Sequence, residues 1–468
     1  MRKTLKAIKG KAHSYGKYII AGLTILLFLS VIRASIFSDI SEDKKIWFEI
    51  SFILLAAILA EFLVEYLKQP MVMILLALGV IISPSAISLA SPYISSALIY
   101  VFSSLGLQIS VAQTIPHLVP TEGFIKIFAQ LGAIFLLFKV GLHSEISKIF
   151  NKRNFFVAFL GVILPFAAGY YYAVSMGHGF NYAMFLGAAL TATSVGVTVA
   201  VLQEFKVLHE EFAKIILGAA VIDDILSLLA LSLVQNFPAG LDLQSLAPLG
   251  SVILAASIFV IGGIRLGQYI VSKYFDRSIE EGLISNATFL GMLVYVLSYA
   301  YVAEFIGLSA IVGAFLAGVT LNYSKSIDRI VELFYPLEAF FTPIFFISLG
   351  MLIDIKALVE NLMPILVITL IAVATKVIGC GLATKLAKGN MRDSLVVGIG
   401  MIPRGEVALI IALIGLTATT QSGQTILSSK EYALIASMAF LTTMITPPIL
   451  QKALEYAGYK IGNKRISL

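Results

Sequence analysis

The chain has 468 residues, of which 59% are hydrophobic and only 13% are charged, against roughly a quarter charged in ordinary soluble domains. This composition excludes an ordinary soluble protein and indicates a membrane protein. The formal net charge of +6 comes from Lys and Arg spread over short loops, which argues against a nucleic-acid-binding patch. A single cysteine, Cys380, excludes an intramolecular disulfide and a cysteine-based metal cluster.

Apolar stretches separated by short polar turns run along the chain, and each approaches the roughly 20 residues that a helix needs to cross a bilayer. They are long and do not alternate between apolar and polar residues, so they predict helices rather than a β-barrel. The predicted fold class is all-α, a polytopic membrane protein with 14 spans. In chain order the predicted spans are 18–37, 47–67, 71–88, 123–142, 154–175, 181–203, 212–235, 247–273, 284–303, 306–324, 336–354, 362–384, 394–417 and 432–450.

The N-terminal region, residues 1–46, combines a basic stretch with an extra membrane helix. A basic region followed by an apolar run also describes a signal peptide. Because the run is long and no clean small-residue cleavage site follows it, we expect a retained anchor. Residues 47–450 form the predicted main membrane domain, and residues 451–468 form a basic tail.

The orientation follows from the basic residues of the short loops, which stay on the cytoplasmic side. They concentrate at the N-terminus, after the fourth span, after the twelfth span and in the C-terminal tail. Both termini are therefore predicted to be cytoplasmic, in the cell (inner) membrane. One further apolar stretch, residues 93–112, lies between the cytoplasmic Lys68 and Lys148. An even number of spans must separate these lysines, so we expect residues 93–112 to form an interfacial or re-entrant helix.

Two distant spans end in the same sequence pattern. The fourth ends FLLFKVGLHSEI, with Gly141 and Glu145, and the eleventh ends IFFISLGMLIDI, with Gly350 and Asp354. The first copy ends inside and the second outside, as an inverted-topology repeat of five helices predicts. Chance similarity of two glycine-containing segments is the alternative. The two predicted repeats cover residues 71–235 and 306–450.

Two adjacent acids, Asp223 and Asp224, lie in the middle of the seventh span, in the sequence VIDDILSLL. Each acid at the bilayer centre costs about 2.5–3.5 kcal/mol unless it has a partner. Neighbouring helix positions diverge by about 100°, so the two carboxylates face different surroundings. Lys376, inside the twelfth span, is the obvious cation, and we expect it to pair with one of them. The alternatives are a structural polar cluster and a lysine that reaches the interface, as we expect for Lys139.

Two further spans carry residues that favour an interrupted helix. The sixth contains ALTATSVGVT, with Thr193 and Ser194, and the thirteenth contains MIPRGEVAL, with Arg404 and Glu406. Broken helices at membrane depth are tolerated where they line a cavity, and their freed oxygens bind ions. The two interruptions, at matching positions of the predicted repeats, therefore predict a binding site. Helix packing and a structural kink are the alternatives.

The combination of ATSVG, AAVIDD, GLSAIVGAFLAG, PIFFISLGM, a lysine within a span and PRGE closely resembles the NapA-type sodium/proton antiporters of the monovalent cation:proton antiporter-2 family. The resemblance runs from Trp47 to the end of the last span. It implies a thirteen-helix antiporter with two crossed, interrupted helices. It also implies a homodimer in which a core domain moves against a dimerisation domain.

The resemblance assigns residue roles by position. Asp224 would carry Na⁺ and protons in turn, and Asp223 would pair with Lys376. Thr193 and Ser194 would lie at the unwound crossover of the ion site. The matched positions with a supporting polar role are Arg404 and Glu406. The chain departs from the family pattern in its extra first span and in the 91–121 insertion, and in Lys139 and His143, which replace family residues near the end of the fourth span.

The expected function is secondary exchange of Na⁺ or Li⁺ for H⁺ without a cofactor. Two acids and a titratable lysine predict more than one proton per cation, which makes the exchange electrogenic. The sequence contains no P-loop and no dinucleotide fingerprint, so neither a nucleotide nor an enzymatic reaction is expected. K⁺/H⁺ exchange by the same fold and a passive channel are alternatives. An intramembrane aspartyl protease fits poorly, because adjacent helical acids do not converge on one water.

Overall fold

The computed structural model describes residues 42–67, 69–90, 124–144, 151–236, 243–275, 286–324, 327–387, 389–417 and 425–459, together with single positions 22, 92, 93 and 96. These residues form an α-helical protein. The predicted first span, 18–37, and nearly all of the 91–121 insertion lie outside the described residues.

The helices are numbered here in chain order. They are α1 (Glu42–Leu67), α2 (Met71–Ile81), α3 (Pro84–Ala90), α4 (Phe124–Leu142), α5 (Lys152–Ser175), α6 (Phe180–Ala189), α7 (Val195–Glu204), α8 (Glu211–Asn236), α9 (Leu243–Ile270), α10 (Asn286–Phe305), α11 (Ala310–Leu321), α12 (Ile327–Met351), α13 (Ile355–Glu360), α14 (Leu362–Leu386), α15 (Met391–Gly400), α16 (Glu406–Thr417) and α17 (Ser429–Ala457). A π-helical turn, Val271–Phe275, extends α9.

Within the described residues, six helical segments are long and apolar enough to cross a membrane, judged by length and composition. They are Lys152–Ser175, Ile253–Tyr274, Asn286–Phe305, Ile327–Met351, Leu362–Leu386 and Ser429–Ala457. The bent pair α2 and α3 makes a seventh candidate. The total of 14 spans stays a prediction.

Three predicted spans differ from the helices observed. The third bends by 52° between α2 and α3, because Pro84 cannot continue the preceding helix. The tenth is shorter than 306–324, because Gly307 has a positive φ of 90° and α11 starts after it. The eleventh begins at Ile327 rather than at residue 336, since the polar residues at its start are compatible with a helix that extends beyond the apolar run.

Two compact units divide the chain. The first comprises residues up to Gly132 together with Phe340–Lys356. Within it α1 packs against α2. The backbones of Gly79 and Gly350 also meet there: a Cβ atom on Gly350 would overlap a backbone oxygen of α2, and one on Gly79 would overlap a backbone oxygen of α12. Only glycine therefore fits at this helix crossing.

The second unit comprises Ala133–Ala339 and Ala357–Leu468. Its helices α5, α8, α14, α15 and α17 pack against one another, and a buried apolar cluster joins α6, α16 and α17. A second glycine crossing lies in this unit. A Cβ atom on Gly141 would overlap the backbone oxygen of Phe315, and one on Gly318 would overlap that of Phe138. Helices α4 and α11 are therefore in backbone contact.

The end of α17 is attached to the starts of two other helices. The Tyr459 hydroxyl donates to the Asp393 carboxylate, 2.8 Å away, in the first turn of α15. Its ring packs edge-on against Phe212 at the start of α8. Burial, and the hydrogen bond to Asp393, raise the pKa of Tyr459 above its ordinary value, so the hydroxyl remains a donor at neutral pH.

The prediction that Lys139 reaches toward the interface is wrong. Its Nζ atom lies 2.5 Å from Oε2 of Glu338, and Gln203 donates to the other oxygen of the same carboxylate at 2.9 Å. Glu338 is 7% exposed. A buried carboxylate needs such partners, and its ion pair with Lys139 therefore holds the lysine side chain at Glu338. The partners are far apart in the chain, so the sequence did not indicate the pair.

We expect Gly141→Ala to lower the midpoint of thermal unfolding in detergent. An inserted methyl group in a close-packed contact typically costs about 1–3 kcal/mol. Gly262→Ala is the matched control, since no atom of the described residues beyond the helix itself lies within 4 Å of its added Cβ, and alanine favours a helix interior. Equal midpoints for the two variants would contradict the backbone contact of α4 with α11.

Candidate functional site

Two helix interruptions meet in the second unit. The first is the segment between Ala189 and Val195, which separates α6 from α7, and the second is the segment between Gly400 and Glu406, which separates α15 from α16. The backbone N–H of Ser194 donates to the Pro403 carbonyl oxygen at 2.7 Å. A Cβ atom on Gly405 would lie 2.6 Å from the Ser194 side chain. The two breaks are therefore in direct contact, and glycine at 405 permits this approach.

Arg404 satisfies backbone oxygens that the second interruption leaves without helical partners. Its guanidinium donates to the carbonyls of Ile402 at 2.7 Å and Met401 at 3.3 Å. It also donates to the Ala372 carbonyl on α14 at 3.0 Å. The side chain is fully buried, at 1% exposure. A planar donor group with several N–H bonds suits this role, so Arg404 holds the break together and attaches it to α14.

Hydroxyl groups fix the backbone of the same break. The Thr442 hydroxyl on α17 accepts the N–H of Arg404 at 3.2 Å, and the Thr443 hydroxyl donates to its carbonyl at 2.6 Å. From α7, the Thr198 hydroxyl donates to the Gly400 carbonyl, also at 2.6 Å. Buried backbone groups without partners are costly, and these threonines remove that cost.

A buried ion pair joins α8 to α14. Lys376 Nζ lies 2.7 Å from Asp223 Oδ1, and the two side chains are 0% and 1% exposed. The second Asp223 oxygen, Oδ2, has no hydrogen-bond partner among the described residues, and neither has the buried Thr193 hydroxyl. Thr193 nevertheless lies beside the Asp223 carboxylate. The pair therefore has unused polar capacity on the side of the first interruption.

Asp224 faces different surroundings from its neighbour. It lines a cavity of about 50 Å³ that Thr193, Ser194 and Ser309 also line. Its Oδ2 atom accepts the backbone N–H of Ser309, at the start of α11, at 3.2 Å. Asp224 is 9% exposed, against 0% for Asp223. The divergence of adjacent helical positions thus gives one acid a lysine and the other a cavity.

The donor atoms around the cavity suit a small cation better than a resident transition metal. The polar residues in the lining are an acid, Asp224, and the hydroxyl residues Thr193, Ser194 and Ser309, and their oxygens are the type of ligand that hard cations prefer. Within the described part of the chain, no group of three or more His, Cys, Asp or Glu residues is placed to hold a metal ion.

The structure brings most of the predicted site residues together. Asp223, Asp224, Thr193, Ser194, Lys376 and Arg404 all lie at or next to the two interruptions. Glu406 begins α16, but its side chain lies outside the described residues. Sequence analysis missed Ser309, because it placed this residue inside the tenth span. The sequence Gly-Leu-Ser before an apolar run is a helix-start signal and could have identified it.

Thr442 and Thr443 were also missed. Threonines are common packing residues in membrane helices, and nothing in their local sequence distinguishes two that hold a neighbouring backbone. Thr191 is a similar case: its hydroxyl lies 3.2 Å from that of Ser227 on α8, which attaches the first interruption to the helix of the two acids.

Comparison with known families settles the class of the protein. The family model described as "Sodium/hydrogen exchanger, transmembrane" matches residues 50–455. The chain belongs to this family. It is therefore a polytopic membrane protein and a secondary transporter, not an enzyme.

The relatives of this chain include antiporters from bacteria. The chain is 34% identical over 417 residues to the Na⁺/H⁺–K⁺ antiporter GerN of Bacillus cereus, covering 87% of this chain and 96% of that one. It is 35% identical over 328 residues to the Na⁺/H⁺ antiporter of Enterococcus hirae, covering 69% and 83%.

A solved structure supports the fold of this exchanger. The sodium proton antiporter MjNhaP1 of Methanocaldococcus jannaschii superposes with a TM-score of 0.56 at 17% identity, over 89% of this chain and 100% of that chain. At this identity the likeness concerns the fold alone. The predicted antiporter fold is confirmed at this level.

We expect Asp223→Asn and Lys376→Met each to destabilise the protein, because each leaves a buried charge unpaired, at about 3–5 kcal/mol. The double variant should be less destabilised than the sum of the two single variants. Thermal unfolding midpoints in detergent measure this double-mutant cycle. Additive effects would contradict a coupled ion pair.

Proposed function

We propose that this exchanger moves Na⁺, or Li⁺, against H⁺ by alternating access, and that Asp224 takes the cation and the protons in turn. The observation that carries the proposal is the position of Asp224 at the wall of a cavity bordered by the interrupted helix, with Thr193 and Ser194 beside it. Interrupted helices whose freed oxygens border a cavity are a recurring form of ion site in transporters.

Competition at one carboxylate provides the coupling. A cation binds the charged form of Asp224, and a proton neutralises that form and removes the attraction. Asp224 is the acid that the described residues contribute to the cavity lining, so protonation of Asp224 removes the anion that these residues provide. Each crossing then carries either the cation or protons, and transport of one ion drives the other.

Asp223 and Lys376 form a second titratable group within the same buried region. We propose that changes in this pair accompany exchange, with Thr193 beside the Asp223 carboxylate and one oxygen of that carboxylate without a hydrogen-bond partner among the described residues. More than one proton then crosses for each cation, and exchange is electrogenic. Arg404 and Glu406 have supporting roles in this scheme, Arg404 through the backbone contacts of the second break.

The proposed architecture follows the sequence prediction: residues 47–450 form the antiporter domain, with inverted repeats at 71–235 and 306–450. The two glycine crossings support it. Gly141 on α4 meets Gly318 on α11, and Gly350 on α12 meets Gly79 on α2. In the proposed repeats, the third span corresponds to the tenth and the fourth span corresponds to the eleventh. The crossing of the fourth span with the tenth therefore corresponds to the crossing of the eleventh span with the third.

The subtype, the oligomeric state and the membrane orientation are proposed from the sequence. We place the protein with the NapA-type antiporters, as a homodimer in the cell (inner) membrane with both termini cytoplasmic. The distribution of Lys and Arg over the short loops supports this orientation.

We expect Asp224→Asn to abolish cation-driven proton movement in proteoliposomes while the protein still folds and inserts. The amide is nearly isosteric but does not carry the charge that a cation requires. The matched control is Glu360→Gln, an exposed acid at the end of α13, which should retain exchange. Wild-type rates in Asp224→Asn would remove the assignment of this residue as the carrier.

K⁺/H⁺ exchange is the second candidate, because the relative from Bacillus cereus is an Na⁺/H⁺–K⁺ antiporter by name. Reconstituted protein with an imposed pH gradient and a proton-sensitive dye distinguishes the candidates. We expect a dye response to Na⁺ and Li⁺ that exceeds the response to K⁺. A larger response to K⁺ would favour the alternative, and ion currents without proton movement would indicate a channel.

Electrogenic exchange has its own test. An imposed membrane potential should change the rate of Na⁺/H⁺ exchange in sealed proteoliposomes, because net charge crosses in each cycle. The same protein without a potential is the control. Rates that do not respond to voltage would show that equal numbers of charges move in both directions.

A further inference from the structure

The backbone N–H of Ser309 is a fixed hydrogen-bond donor to Asp224. Its nitrogen lies 3.2 Å from Asp224 Oδ2, and both residues line the same cavity. The other Asp224 oxygen is not part of this bond. One oxygen of the proposed carrier acid is thus held by the protein, while the carboxylate still borders the cavity.

Local structure holds this donor in place. Gly307, at a φ of 90°, turns the chain, and Ser309 then caps α11. Its side chain accepts the N–H of Ile311 at 3.2 Å, which fixes the geometry of the first turn. The Ser309 side chain is therefore engaged with its own helix, and its backbone N–H is directed to Asp224.

A donor of this kind distinguishes between the two forms of a carboxyl group. A hydrogen bond to a charged acceptor is stronger than one to a neutral acceptor. The Ser309 N–H therefore stabilises the charged form of Asp224 relative to the protonated form. A cation also requires the charged form, and it can bind while Oδ2 keeps its hydrogen bond.

We infer that the Ser309 N–H is a positioning group that sets the balance between cation and proton at Asp224 in favour of the cation. This inference rests on the proposed function, because it assumes that both ions compete at Asp224. The Ser309 N–H itself binds neither ion. Removing it should strengthen proton binding and leave the intrinsic affinity for the cation unchanged.

Ser309→Pro removes the donor with little change in backbone conformation. Proline has no N–H and requires a φ near −65°, and Ser309 already has a φ of −65°. Both Ser309→Pro and its matched control Ser309→Ala remove the hydroxyl cap, but the alanine variant keeps the N–H. Their comparison reports the loss of the N–H together with the proline ring carbon that takes its place beside Asp224, and a change in the shape of the site alone would raise KM by the same factor at every pH.

The measurement is the apparent KM for Na⁺ in proteoliposomes at two pH values. One lies on the alkaline plateau of wild-type exchange, and the other lies where the wild-type rate has fallen by half. At the alkaline pH the two variants should agree, since few protons compete. At the acidic pH the KM of Ser309→Pro should exceed that of Ser309→Ala by roughly three- to fivefold, from the difference between charged and neutral hydrogen bonds.

The outcomes separate this inference from the proposed function. Wild-type protein that moves no protons in response to Na⁺ or Li⁺ overturns both. Active wild-type protein with the same ratio of KM values at both pH values overturns only the role of Ser309. If the KM of Ser309→Pro exceeds that of Ser309→Ala by the same factor at both pH values, the donor affects the shape of the site and not the competition between cation and proton.

Hydrogen–deuterium exchange tests the same bond without the proline variant. In Asp224→Ala the Ser309 amide loses its acceptor, so its exchange should be at least roughly fivefold faster than in the wild type, as expected for loss of a charge-assisted hydrogen bond. Peptides from α10 serve as the control and should be unchanged. Equal protection of the Ser309 amide in both proteins would overturn the inference.

Discussion

A backbone polar group inside a bilayer must find its partner within the protein, and the two helix interruptions meet this requirement through each other. The Ser194 N–H donates to the Pro403 carbonyl oxygen. The Arg404 guanidinium donates to the carbonyl oxygens after α15 that have no helical partner. Without these contacts, neither break would be tolerated at membrane depth. The candidate site lies beside this arrangement, since Thr193 and Ser194 of the first break line the cavity that Asp224 also lines.

Two adjacent acids receive different partners because the helix rotates about 100° between them. Asp223 pairs with Lys376 and is buried. Each charge compensates the other, because a single unpaired charge would be costly in this buried region. Asp224 faces the cavity and has a backbone donor instead of a cation. The lysine thus neutralises one acid, and the other stays free of a cationic side chain, as the proposed exchange requires. If Lys376 paired with Asp224 instead, its ammonium group would permanently occupy the carboxylate that is proposed to carry the cation.

The sequence predicted the elements whose signal is local. Long apolar runs gave most helices, and Pro, Gly and Thr residues within two runs predicted both interruptions. The costs of buried charge indicated that Lys376 needs an acid but did not select between Asp223 and Asp224, because the choice depends on helix rotation. Glu338 and Thr443 were not predicted, since each acts on a residue remote in the chain. Ser309 contacts Asp224 through its backbone N–H. Every residue except proline has this group, so the residue type alone did not indicate the contact.

The direction of the helices around the cavity would add to the proposed competition at Asp224. The cavity is lined by Ser194 and Val195 at the start of α7, by Ser309 at the start of α11 and by Val407 at the start of α16. A helix N-terminus carries a partial positive charge, so these ends stabilise a carboxylate and repel a cation. A charged Asp224 compensates for that repulsion and admits the cation. In the proposed exchange, a proton that neutralises Asp224 removes the anion that the described residues contribute to the cavity lining, so the positive helix ends favour release of the cation. Under this proposal the helix ends make the two bound states exclude each other more strongly than the carboxylate alone would.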